Sequence, residues 1–413
     1  MDTFRELYER ALRMALQGRG DDVETLGGEY DTEHLDCLLH PDKHPLVVRT
    51  GPCRCSIEEQ EKCAARCPFG AMHSSEGGIE IDPAACMGCA DCIDGCAHEK
   101  LKASTDILPA LRAVRSAKGL AYALVAPAFH GQFSDEVTPG KLRTALKSIG
   151  FDGMIEVALF ADILTLKEAL EFDKNIRAEG DYQLTSCCCP MWIGMIRKIY
   201  HQLLPHVPGS VSPMIACART IKILYPDALT VFIGPCLAKK GEAREADLAG
   251  AVDYVLTFRE MADIFSALGI DPAAMEESDK DHSSRAGRIY ARAGGVSEAV
   301  SATLNRISPD REMSIATRQA DGVPACKQMI GDILAGNGGG NFYEGMGCRG
   351  GCVGGPRAIV GAEQGRAVVE SYGAASPYET PAENPYVMEL LHRLGFDTIE
   401  SLLENTDIFT RRL

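Results

Sequence analysis

Glu344-Gly345-Met346-Gly347-Cys348-Arg349-Gly350-Gly351-Cys352-Val353-Gly354-Gly355-Pro356 places two thiols four residues apart in a glycine-rich turn. One such turn says little, because cysteine-rich turns occur in many proteins. Two further segments ask for the same explanation: Thr185-Ser186-Cys187-Cys188-Cys189-Pro190-Met191-Trp192 and Gly234-Pro235-Cys236-Leu237-Ala238-Lys239-Lys240-Gly241-Glu242. Four thiolates drawn from three loops can hold one iron–sulfur cubane. The glycines beside Cys348 and Cys352 let the backbone approach a bulky inorganic group closely.

Upstream, eight of the 17 cysteines crowd into one window, Cys53 to Cys96. Cys86-x2-Cys89-x2-Cys92-x3-Cys96 has the spacing of a bacterial ferredoxin run, in which three thiolates bind one cubane and the fourth reaches across to another. The upstream half, Cys53-x-Cys55-x7-Cys63-x3-Cys67-Pro68, keeps the closing Cys-x3-Cys-Pro and alters the first spacing. The expected quartets are Cys53, Cys55, Cys63 and Cys96, and Cys86, Cys89, Cys92 and Cys67. Structural zinc is the competing reading. It prefers two separated Cys-x2–4-Cys pairs to three cysteines on one loop, so the spacing favours two 4Fe–4S clusters.

Composition agrees with a folded redox protein. The chain has 413 residues, 46% hydrophobic and 24% charged, which excludes general disorder. With 42 Lys+Arg against 58 Asp+Glu the net charge is −16, and no basic stripe suggests nucleic acid. The charged N-terminus has no apolar signal region, and no apolar run reaches the ~18–20 residues of a membrane span. The expected location is cytoplasmic, where thiols stay reduced. Residues 1–45 read as a helical lead-in, 46–104 as a small α+β ferredoxin-like domain with two 4Fe–4S clusters, and 105–413 as a larger body. In that body, apolar runs at Leu120–Ala126, Met154–Ala158, Leu229–Ile233 and Tyr254–Thr257 alternate with helix-like stretches, the pattern of parallel α/β architecture. Cys37, Cys217 and Cys326 read as small buried hydrophobes.

The three body loops, in this order and downstream of a ferredoxin-like module, resemble those of the iron-only (FeFe) hydrogenases. Thr185-Ser186-Cys187-Cys188-Cys189-Pro190 resembles the loop of the branch called group B. Asp253-Tyr254-Val255-Leu256-Thr257-Phe258-Arg259-Glu260 and Gly294-Gly295-Val296-Ser297-Glu298-Ala299 are also similar to family stretches. The resemblance covers roughly residues 46–400. It implies an α/β body of two parallel-sheet lobes enclosing an H-cluster, a 4Fe–4S cubane joined to a diiron unit carrying CO, cyanide and azadithiolate. The implied ligands are Cys189, Cys236, Cys348 and Cys352, with Cys352 shared between cubane and diiron unit.

Cys188 takes the place of the family's proton-donating thiol, which suits a group of ordinary pKa ~8.5. Lys239 is a compact cation for a cyanide nitrogen, Glu242 its balancing carboxylate, and Met346 a polarisable packing partner for the diiron unit. Pro127 and Ser212 are further expected contacts of the cofactor. Lys167-Glu168-Ala169-Leu170-Glu171-Phe172 resembles the family's proton-relay helix, with Glu168 and Glu171 at i, i+3 on one face. Departures are Gly234 where better-known members have Met, a shortened glycine run after Cys352, the additional Cys187, and no clear relay serine near Ser212-Pro213.

The resemblance implies reversible reduction of protons to dihydrogen. Electrons would come from ferredoxin or another redox protein, and maturation factors would insert the diiron unit. No nucleic acid or membrane is expected as a partner. A hydrogen-sensing relative and an iron–sulfur carrier or assembly protein without the diiron unit are the alternatives.

Overall fold

The computed structural model describes residues 3–185, 188–278, 282–404 and 407–412. Its main sheet is fully parallel. β5 (Ala121–Val125) lies between β6 (Gly153–Glu156) and β8 (Leu229–Gly234), and β8 also pairs with β9 (Tyr254–Thr257). β5 and β8 are apolar almost throughout, as strands covered on both faces must be. A second parallel sheet orders β10 (Thr317–Asp321), β11 (Phe342–Met346) and β7 (Gln183–Leu184). These are the two parallel-sheet lobes of the expected α/β body.

Residues 47–103 add two antiparallel ribbons, β1 (Val47–Arg49) with β4 (Leu101–Ala103) and β2 (Met72–Ser75) with β3 (Gly78–Ile81). Helix Ile57–Ala65 starts on a capping box, Ser56 with Glu59. The ends of this stretch lie side by side, since Ser104 N–H donates to Leu46 O at 2.9 Å.

Each lobe has its own apolar core. Residues of the main sheet pack with Leu142, Leu146, Met214 and Ile221 of the covering helices. The second core gathers Trp192, Ile196, Val296, Leu304, Ile330 and Phe342. A small third core, including Leu46, Met72, Ile79 and Leu101, underlies the cysteine window and takes in Leu237 from the body. The N-terminal helix Thr3–Leu16 joins the main core through Phe4, Leu7, Ala11 and Leu12. Its last carbonyls, on Ala15 and Leu16, accept from Arg115, and Tyr8 donates to Asp263 at 2.8 Å.

Helix Ala158–Asn175 packs against helices Gly295–Ile307 and Pro213–Leu224. It is buried along nearly its whole length, including Asp162, Thr165, Lys167 and Glu168. Four polar side chains inside one helix need partners, and they find them in both lobes.

Candidate functional site

In parallel α/β sheets, ligands collect beyond the carboxyl ends of the strands. Every body cysteine loop leaves such an end. β8 ends at Gly234, two residues before Cys236; β11 ends at Met346, two before Cys348; β7 ends at Leu184, five before Cys189. Pro127, half-buried, opens the turn directly after β5.

The structure brings Cys189, Cys236, Cys348 and Cys352 together. The charges of Cys189 and Cys236 act on both Cys348 and Cys352, and Gly347 N–H donates to Cys189 Sγ at 3.3 Å. Burial pushes the Cys236 thiol up to about 11 and Cys352 up to about 12, with neighbouring thiols adding to both. Crowded thiols at this depth hold their protons until a polycation replaces them. Cys236, Cys348 and Cys352 lie deep in the protein yet retain accessible surface, as side chains lining an internal space do. Among the described residues no three His, Cys, Asp or Glu side chains are placed to hold a single metal ion, and four thiols from three loops are the donor set of a larger iron–sulfur group.

Cys188 lies beside it. Burial raises this thiol well above its ordinary range, and Cys189, Glu168, Glu344 and Cys352 add to the effect. Cys187 lies outside the described residues. Lys239 Nζ donates to Glu242 Oε2 at 2.6 Å, with the two side chains only 9% and 2% exposed. Burial alone would lower Lys239, but Glu242, then Cys236 and Cys352, turn the net shift upward. Met346 is buried at the end of β11, and its carbonyl accepts from Cys326 Sγ at 3.3 Å.

Helix Ala158–Asn175 carries both carboxylates of the expected relay. Glu168 is buried and acts on Cys188 and on Tyr290, whose hydroxyl meets Thr165 Oγ1 at 2.8 Å. Glu171 is paired with Lys167, and Lys167 Nζ also donates to Ser210 Oγ at 2.8 Å. Ser212 is fully buried and uses its hydroxyl to cap helix Pro213–Leu224 at Ile215 N–H.

Three residues escaped the sequence reading. Lys167 and Ser210 meet only through tertiary contact. Glu344 is fully buried and accepts from Gly294 N–H at 2.8 Å and Ser297 N–H at 2.7 Å. The quoted Gly294–Ala299 stretch was the available signal, since it is this stretch that binds Glu344. The Asp253–Glu260 stretch also has a structural use. Its Glu260 completes a capping box with Thr257 and accepts from buried Lys240 at 3.2 Å.

In the glycine-rich turn, Gly351 has φ +87°, and a Cβ there would lie 2.5 Å from Ala293 N, so this glycine makes room for protein backbone. At Gly234 a Cβ would stand 2.7 Å from the Phe232 ring, so that ring already occupies the space a side chain would need.

In the small module, Cys53, Cys55, Cys63 and Cys96 line one cavity of about 200 Å³. Cys67 acts on Cys86, Cys89 and Cys92, which places these four near one another, as the expected second quartet requires. Burial pushes Cys89 and Cys92 up to about 12. Cys67 and Cys96 each accept a backbone N–H from four residues on, Ala71 at 3.2 Å and Lys100 at 3.3 Å. Arg49, Lys62, Arg66 and Lys100 stand around the outer cavity with Glu59, and Lys62 is paired with Glu58 at 2.7 Å.

The second group abuts the body. A Cβ on Gly88 would lie 3.1 Å from Ala238 N, and Met87 packs into the space beside Gly194. Cys89 in turn acts on Cys348. Cysteine groups thus run from the outer cavity to the crevice between the two sheets.

Fold and site define a class: two-lobed α/β proteins that gather cysteines at the carboxyl ends of parallel strands. The chain belongs to the iron-only hydrogenase family, and residues 120–356 match the C-terminal domain of that family's large subunit. Iron hydrogenase 1 of Clostridium pasteurianum is 30% identical over 267 residues, 55% of this chain and 46% of that protein. HndD, a subunit of the NADP-reducing hydrogenase of Solidesulfovibrio fructosivorans, is 25% identical over 383 residues, 79% of this chain and 66% of that one. The periplasmic Fe hydrogenase large subunit of Nitratidesulfovibrio vulgaris is 30% identical over 259 residues, covering 52% and 62%.

The chain thus spans 46% to 66% of the length of these relatives. Among solved structures, HydA(deltaEFG), an FeFe-hydrogenase described for stepwise H-cluster assembly, superposes with a TM-score of 0.62. It shares 21% identity and covers 74% of this chain and 98% of its own. A variant of FeFe-hydrogenase HydA1 from Chlamydomonas reinhardtii gives 0.61, also at 21% identity, covering 73% and 98%. At this identity the structural likeness bears on the fold alone. No helix among the described residues is long and apolar enough to cross a membrane.

Proposed function

We propose that the chain is a hydrogen-metabolising enzyme of the group B branch, one that reversibly reduces protons to dihydrogen with electrons from ferredoxin or a similar low-potential carrier. Its cofactors are two 4Fe–4S clusters held by the quartets of residues 46–104, and an H-cluster held by Cys189, Cys236, Cys348 and Cys352. When bound, the H-cluster supplies the heterolytic chemistry of dihydrogen. Maturation factors insert its diiron unit, and the working compartment is the cytoplasm.

The protein's own residues have separate tasks. Lys239, held by Glu242, presents a fixed ammonium toward the thiol quartet. Met346 and Pro127 wall the pocket. Cys188 holds the proton nearest the reacting centre, and Glu168 and Glu171 carry protons along one helix face. The four cations around the outer cavity offer an acidic carrier a local contact on a chain of net charge −16.

The observation that carries the reading is Cys188, a half-buried residue whose thiol lies where the charges of both Glu168 and Cys352 act on it. An iron–sulfur carrier without the diiron unit has no use for a thiol between a cluster ligand and a buried carboxylate. The test is co-expression with diiron maturation factors, followed by infrared spectra and dihydrogen evolution from a reduced dye. CO and cyanide bands with turnover are expected. Absence of those bands, while a control hydrogenase matures in parallel, ends the reading; bands without turnover favour the sensing relative. Cys188→Ala is expected to keep the bands while turnover falls by about 10²–10⁴-fold, the usual weight of a general acid–base group.

A further inference from the structure

The proton path needs an outer end, and the sequence offered no serine for it. The structure supplies a three-residue unit instead. Lys167 is 2% exposed and sits one turn before Glu171 on helix Ala158–Asn175. Its Nζ donates to Glu171 Oε1 on one side and to Ser210 Oγ, at 2.8 Å, on the other. Ser210 is 1% exposed and is itself fixed by its surroundings. It bridges Thr410, Arg411 N–H donates to Gly209 O at 2.9 Å, and Val211 N–H donates to Phe409 O at 3.0 Å. The C-terminal segment thus clamps the serine, the serine holds the ammonium, and the ammonium holds the carboxylate. The second oxygen of Glu171, Oε2, is buried with no hydrogen-bond partner among the described residues.

We propose that Lys167 is a positioning residue of the proton path, held by Ser210 and fixing both the charge and the orientation of Glu171 so that Oε2 stays open to take and return a proton.

The proposal rests on the hydrogenase reading, since only that gives Glu171 a proton to carry. Its physical basis is local. A carboxylate at this depth resists ionisation, and burial does raise Glu171 against the pull of Lys167. Lys174, on the same helix, is the other charge acting on it. Segment 209–211 contributes a hydroxyl and no charge, while Arg411 is turned to Glu245 and Asp247. Without the Lys167 ammonium, burial is opposed only by Lys174 among the charges acting on Glu171, and the carboxyl moves further up. Each unit of upward displacement lowers its ionised fraction about tenfold.

The test uses the full chain with its clusters, by infrared spectroscopy of carboxylic-acid groups across a pH series. At pH 7, Lys167→Met is expected to gain one carboxylic-acid band that Lys167→Met/Glu171→Gln lacks, and the wild type is expected to develop it only at lower pH. In the matured protein, Lys167→Met is expected to lose about tenfold or more of its turnover at pH 7 and recover it at higher pH, while Lys167→Arg keeps the wild-type profile. Ser210→Ala keeps the charge but frees the ammonium, so its band is expected to titrate between those of wild type and Lys167→Met. That variant decides the matter if Lys167→Met does not fold. A band already present at pH 7 in the wild type, or unmoved in Ser210→Ala and Lys167→Met, overturns the role of Lys167 and leaves the hydrogenase reading standing. A matured wild type with CO and cyanide bands but no turnover refutes that reading and this path with it.

Discussion

The Lys239–Glu242 pair allows a quantitative test. At 2.6 Å and near-complete burial, two unit charges attract by about 6 kcal/mol at an effective dielectric of ~20. Much of that is offset by the desolvation of both groups. Removing one partner leaves the other charge buried and alone, which costs about 3–5 kcal/mol. Lys239→Met is therefore expected to destabilise the cofactor-free chain by about that amount. The double variant Lys239→Met/Glu242→Gln is expected to cost less than the sum of the single variants, by up to about 3 kcal/mol.

The assay has a built-in reporter. The chain has one tryptophan, and fully buried Trp192 shares an apolar core with Ala238, the residue before Lys239. Urea unfolding followed by Trp192 fluorescence thus reads the lobe that holds the pair. The Lys239 pKa is raised on folding, so its stabilisation is fully present below the unfolded value of ~10.4 and is lost as pH rises through the folded value. The gap between wild type and the double variant Lys239→Met/Glu242→Gln, which leaves no unpaired carboxylate to titrate, is expected to stay level from pH 6 to pH 9 and to narrow above ~10.4. A coupling below about 0.5 kcal/mol, or a gap that closes at neutral pH, would refute the argument.

Two further expectations concern stability. A Cβ on Gly345 would come within 2.0 Å of the Trp192 ring, so Gly345→Ala is expected to lower stability by about 1–3 kcal/mol, with Trp192 emission shifted in the folded state. Asp162 accepts from Ser284, Gly287 and Asn384, yet burial lifts its carboxyl to about 6. A carboxyl raised on folding favours the folded state as pH falls. Stability from this group is expected to grow by about 2 kcal/mol between pH 7 and pH 4, and Asp162→Asn to flatten that part of the pH profile in calorimetry.

What was legible in the sequence followed from period and spacing. β5, β6, β8 and β9 coincide with apolar runs because strands buried on both faces carry their signal in consecutive residues. The second sheet had no such signal. β10 reads Thr-Arg-Gln-Ala-Asp with Arg318 and Gln319 exposed, as an edge strand permits, and β7 is two residues long. β11 is wholly buried but sits between glycine-rich stretches, so its five residues read as loop. The cysteine loops announced their chemistry because ligand spacing is local. Ser210 and Lys167, 43 residues apart, announced nothing, since neither side chain has a role until the C-terminal segment fixes one against the other. Glu344 was in view all along, but its partners lie on a helix that begins at Gly295.

Leu237 has a consequence for how the molecule could be cut. Residues 47–103 begin and end at neighbouring points joined by the Ser104–Leu46 hydrogen bond, so a short splice there would reconnect the lead-in to the body without stretching either. The body would not be left intact, because Leu237, fully buried in the core of the excised piece, lies directly after Cys236. Excision would bare a leucine beside a candidate cluster ligand and draw water to that thiol. A minimal body would need a polar residue at 237, because here the small module covers the leucine that follows Cys236.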